Sequence, residues 1–147
     1  MHDPSCELRL AVYSTPPTTT PITTAPTSAP LYWIPVGIIA GMIFSLSSIP
    51  TPEMYLSFLQ WIVGDKMAHA MEYGALSIVC YRAFRHGSGS WAARHAFILA
   101  VVASAVYGLT DEWHQYFVPT RSADSLDLFA DTAGAISVLV GWRHLVE

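Results

Sequence analysis

The sequence predicts an all-α polytopic membrane protein, a four-helix bundle with a short interfacial or re-entrant segment after its first span and a disordered Thr/Pro-rich N-terminal tail. Three observations carry that reading. Of 147 residues, 52% are apolar and only 12% are charged, about half the ~25% usual in soluble domains. The mean hydropathy is positive although the first thirty residues are mostly polar. Four apolar runs of near-spanning length then follow. The formal net charge of −4 argues against nucleic acid as a partner. Cys6 and Cys80 sit in unrelated contexts, so no disulfide framework is expected.

Residues 1–30 form the expected tail, and 31–147 a single four-span domain. The stretch Thr15 to Pro30 holds seven Thr and five Pro in sixteen positions, carries no charge and favours extended, solvated backbone. The residues before it contain acids and no long apolar stretch, unlike a cleaved signal peptide; a start site set too early would equally produce such a leader. The first span, Leu31 to Ile49, is uncharged and has Tyr32 and Trp33 at one end, where an aromatic belt places them. Pro50 and Pro52 end it. Met54 to Gly64 is aromatic-rich and too short to cross, hence the interfacial or re-entrant segment. The second span runs from about Met67 to Phe84, the third from about Trp91 to Thr110, the fourth from about Leu126 to Trp142. Helices satisfy their own backbone in lipid at these lengths. Arg9, Arg82, Arg85, Arg94 and Arg143 fall on one side of this arrangement, Lys66 and Arg121 on the other, so both termini are expected to be cytoplasmic.

Seven acids, Asp65, Glu72, Asp111, Glu112, Asp124, Asp127 and Asp131, gather at the start of the second span, the end of the third and the start of the fourth, ends that share the outer face. At 100° per residue, Asp65, Lys66, His69, Glu72 and Tyr73 lie on one face of the second span, and Asp124, Asp127 and Asp131 on one face of the fourth. On the third, Asp111, His114 and Gln115 share a face with Glu112 at its margin. Ionisable groups in a span cost about 2.5–3.5 kcal/mol on insertion scales, so they face a common interior. With Lys66 and Arg121 the cations there, the seven acids leave a formal −5, which calls for protonated carboxyls or a bound cation.

These residues, Asp65-Lys66-Met67-Ala68-His69 with Tyr73, Asp111-Glu112-Trp113-His114-Gln115, Pro119-Thr120-Arg121 with Asp124 and Asp127, and then Gly134, resemble the VanZ-like family of bacterial membrane proteins. The likeness covers about half the chain. It implies a small multi-pass protein of the bacterial cytoplasmic membrane, in a family named after a protein giving low-level resistance to the glycopeptide teicoplanin, and it implies no particular reaction. This chain has Asp131 where the family usually has Asn and Thr120 where it usually has Gly. The Thr/Pro-rich leader falls outside the resemblance.

Two chemistries suit the cluster. An anionic headgroup of an envelope lipid or cell-wall precursor would be held by Lys66 and Arg121, within a wall of Tyr73, His114, Gln115, Asp124 and Asp131. His69, Asp111, Glu112 and Asp127 would serve proton transfer if general acid/base chemistry occurs. Alternatively, His69, Asp127 and Asp131 form a proton or cation relay of a transporter or channel subunit. A structural partner of an envelope enzyme is the third reading. His69 and His114 with nearby carboxylates are ligand types for Zn²⁺ or Mn²⁺, but a close His pair and standard spacing are missing, so no cofactor is assigned. Asp124 also suits the N-cap of the fourth span. Membrane lipid is the expected partner, and the sequence sets no oligomeric state.

Overall fold

A computed structural model describes residues 29–49, 58–119, 121 and 123–146, with backbone alone over 58–63. The Thr/Pro-rich segment up to residue 28 lies outside the described residues. All regular structure among those described is helical: α1 (Ala29–Ser47), α2 (Phe58–His86), the short α3 (Ser90–Arg94), α4 (Ala96–Gln115) and α5 (Ser125–Val146). Pro30 falls in the first turn of α1, where a missing N–H costs nothing, so the helix takes the last two residues assigned above to the tail.

Two boundaries differ from the sequence reading. Residues 50–57 lie outside the described set, but from Phe58 onward the segment expected to lie apart is continuous with the second span. No proline or glycine pair interrupts it there, and 29 residues at 1.5 Å rise make α2 about 44 Å long. The third span is divided. The chain turns at His95, whose amide reaches the carbonyls of Trp91 and Ala92, and α4 then runs through Gln115, keeping Asp111 and Glu112 helical.

The four long helices alternate in direction, and α2 packs against each of the others, most extensively α5. Contact is close because small residues line the seams. A Cβ on Gly134 would run into the backbone of Ala70, and one on Gly74 would stand 2.6 Å from Val138 Cγ2. Ala96, Ala100, Ser104 and Gly108, spaced every four residues, form the buried stripe of α4. Its opposite stripe, Ile98, Val102, Val106, Leu109 and Trp113, is exposed, from 52% at Val102 to 72% at Trp113. Leu31, Ile34, Ile38 and Met42 do the same on α1. Polar side chains are meanwhile inside, with Ser77, Ser104 and Asp131 wholly buried. That inversion suits an apolar solvent. Among the described residues, α1 and α4 are long and apolar enough to cross a membrane.

Candidate functional site

The acidic residues meet where the C-terminal ends of α1 and α4 approach the N-terminal halves of α2 and α5. Local structure explains their placement. After α4 the chain makes a compact turn, with the amides of Phe117, Val118 and Arg121 bonded to the carbonyls of His114, Gln115 and Val118. That turn brings Asp124 back over α4, where its amide donates to Glu112 Oε2 at 2.8 Å. Asp124 Oδ1 accepts from the Leu126 amide at 2.9 Å, the N-cap expected for α5. The Leu126 amide and then Lys66 hold the Asp124 carboxyl below the usual carboxylate range.

Asp127 and Asp131 follow at helical spacing into the interior. His69 Nδ1 lies 2.9 Å from Asp131 Oδ1, and its ring stacks on Tyr73, whose side chain is wholly buried. Lys66 bonds Asp127, bonds Asp124 Oδ2 at 2.9 Å and stands 3.6 Å from Asp65. Its ammonium is thus bracketed by three carboxylates. Arg121 is 3.8 Å from Asp65 and donates over 3.4 Å to the carbonyls of Leu46 and Ile49, satisfying the negative end of α1.

On α4, Asp111 Oδ2 accepts from the Ser47 hydroxyl at 2.7 Å and from Gln115 at 2.9 Å. Glu112, placed at the margin by helical phase, is instead 7% exposed and inside the cluster, because the outward face here is centred on Trp113 and Leu109. His114 turns away from His69. It stacks on Phe44 and lies 3.0 Å from Ser48 Oγ, so the structure does not bring together the two histidines considered above for a metal. Glu72 is half-buried beside the cluster. Ser47 and Ser48 are its contribution from α1. The signal for them was the Ser-Leu-Ser-Ser end of an otherwise apolar span.

Two features bear on chemistry. Among the described residues, Tyr73 Oη, Asp111 Oδ1, Glu112 Oε1 and Asp131 Oδ2 are buried without hydrogen-bond partners, a costly state unless something completes it. Gly108 makes room for the last of these, since a methyl there would stand 2.6 Å from Asp131 Oδ2. Against Glu112 opens a cavity of about 390 Å³ lined also by Leu109, Trp113, Tyr116, Phe117 and Ala123.

The family model described as VanZ/LLP1 matches residues 9–146. The chain belongs to the VanZ/LLP1 family. The match extends through the Thr/Pro-rich leader, which the motif resemblance had left outside. No curated protein and no solved structure matches the chain. VanZ/LLP1 membership and the two apolar helices together suggest a membrane protein, and the family one related to glycopeptide resistance.

Proposed function

We propose that this VanZ/LLP1 protein crosses the bacterial cytoplasmic membrane four times, with both termini cytoplasmic, and binds the polar head of an anionic envelope lipid or cell-wall precursor at its acidic outer end. The observation that carries the reading is the juxtaposition of an apolar cleft with a buried acid. Glu112 closes the inner wall of the cavity along Leu109, Trp113 and Phe117, so an acyl chain on the outside of α4 would bring its head to the His69, Glu112 and Asp131 group. Arg121 supplies a planar fork for an anion. Lys66 contributes by exchanging Asp65 or Asp124, the more solvated of its partners. Tyr73 and Gln115 back the cluster from the interior, His114 sits apart against Ser48 and Phe44, and His69, Asp111, Glu112 and Asp127 would serve proton transfer on a phosphate or acyl linkage.

The test substitutes Lys66, His69, Asp111 and Arg121 singly and measures lipid binding or teicoplanin susceptibility at matched membrane levels. At least two of the four are expected to lose most of the activity, and full activity in all four overturns the assignment. One observation favours a second reading, a proton or cation path: the chain of Lys66, Asp127, His69 and Asp131 runs from the partly solvated rim to a wholly buried carboxylate. Flux into vesicles that Asp131→Asn abolishes would select it over headgroup binding.

A further inference from the structure

The charge at the acidic end is unbalanced in one place. Asp65, Asp124 and Asp127 share Lys66, and Asp65 also faces Arg121. Glu112 has no lysine or arginine partner among the described residues, and Asp131 pairs with His69 alone. Each uses one oxygen internally, Glu112 Oε2 for the Asp124 amide and Asp131 Oδ1 for His69, and each keeps the other oxygen buried and unbonded. One ring nitrogen of His69 and one oxygen from each of these carboxylates lie within 4.8 Å of one another.

We propose that His69, Glu112 and Asp131 bind a divalent transition cation, Zn²⁺ or Mn²⁺. One imidazole and two carboxylates form a mixed nitrogen and oxygen set that both ions accept, and three protein ligands leave positions open for water or a ligand oxygen. Bonds of about 2.1 Å in a tetrahedron place ligand atoms about 3.4 Å apart. Ligation would draw the three atoms from within 4.8 Å of one another to that spacing. The neighbouring set of Asp65, His69 and Asp127 is the poorer site, because Lys66 already holds Asp127. Gly108 fits the same account, keeping the space beside Asp131 Oδ2 free of a side chain. The site stands on this geometry alone. It rests on the headgroup reading only for its purpose, since a cation on the inner wall would let an anionic head enter a region of formal charge −5.

The experiment uses the full chain, purified in detergent, freed of any histidine tag and stripped with chelator, then titrated separately with Zn²⁺ and Mn²⁺. One ion per chain is expected for at least one metal. Glu112→Gln, Asp131→Asn and His69→Gln should each weaken it at least about tenfold, while Arg143→Gln, at the far end, leaves it unchanged. Metal-free unfolding of Glu112→Gln and Asp131→Asn should occur at a temperature no lower than that of the unsubstituted protein, which separates lost ligation from lost folding. Absence of one-to-one binding for both ions, or equal affinity in folded Glu112→Gln, overturns the metal site. Vesicles containing anionic lipid are then added. Metal binding without vesicle binding supports this proposal and removes the headgroup reading, and vesicle binding without metal does the reverse.

Discussion

The two ends of the bundle carry opposite charge and treat it in opposite ways. At one end Arg85, Arg94 and Arg143 line a cavity of about 250 Å³ and are themselves exposed. The Arg143 guanidinium lies 5.9 Å from the Tyr81 ring centre and 5.6 Å from that of Phe97, within cation–π reach of both. At the other end Asp111, Glu112, Asp127 and Asp131 are buried. An exposed charge costs little to maintain, and such arginines suffice to orient a chain in a membrane. A buried carboxylate lacking a partner is costly in proportion to its isolation. Burial rather than charge density therefore distinguishes the two ends, and the buried end is the one proposed above to bind.

That contrast can be broken most severely at His69. Replacing it with Ala leaves Asp131 with neither oxygen bonded, and the expected loss is about 3–5 kcal/mol of folding stability, read by denaturant unfolding in detergent. Asp131→Asn in the same background should recover part of it by removing the charge. The next largest effect is steric. Gly134→Val drives a side chain into the Ala70 backbone and should cost about 3 kcal/mol, whereas Gly141→Val, with nothing within 4 Å of its Cβ position, leaves the melting temperature nearly unchanged. Equal losses at the two glycines would contradict the tight seam between α2 and α5.

A direct pairing of the ends comes third. Lys66→Gln strands Asp127 and should cost about 2 kcal/mol, while Arg143→Gln loses an exposed ring contact of under about 1 kcal/mol. The smallest effect is at Asp124. Its folded-state pKa lies below its unfolded value, so its stabilisation is full above the ordinary Asp value near 3.9 and disappears as pH falls through the lower folded value. Asp124→Ala should cost about 1 kcal/mol at pH 7, and the gap to the unsubstituted protein should narrow below about pH 4. A gap that is constant between pH 7 and pH 3 rejects the charged cap.

The acidic end was legible in the sequence because so few charges are present that their grouping stands out. Helical phase alone brings His69 onto the face with Asp65 and Tyr73, and Asp127 onto the face with Asp131. Phase was less informative where a helix has three neighbours. Glu112 and Asp111 point to different partners, Asp124 and Ser47, so both are buried although 100° separates them. His114 does share a face with Asp111, both turned to the end of α1, where Asp111 meets Ser47 and His114 meets Ser48 and Phe44. The role of Ser47 needed tertiary contact, since a serine at a span end is ordinary in isolation. The continuity of α2 through Phe58 to Gly64 was hidden by composition. A short aromatic stretch next to prolines has the same residues whether it lies in the interface or begins a long helix.

The most direct test of the claim that the buried acidic end is the binding end is to purify the protein from bacterial membranes and measure retained anionic lipid per chain by native mass spectrometry. The account predicts retention in the unsubstituted protein and in Arg143→Gln, with at least about tenfold less in His69→Gln. Retention unchanged in His69→Gln and lost in Arg143→Gln would move the site to the arginine end and contradict the account.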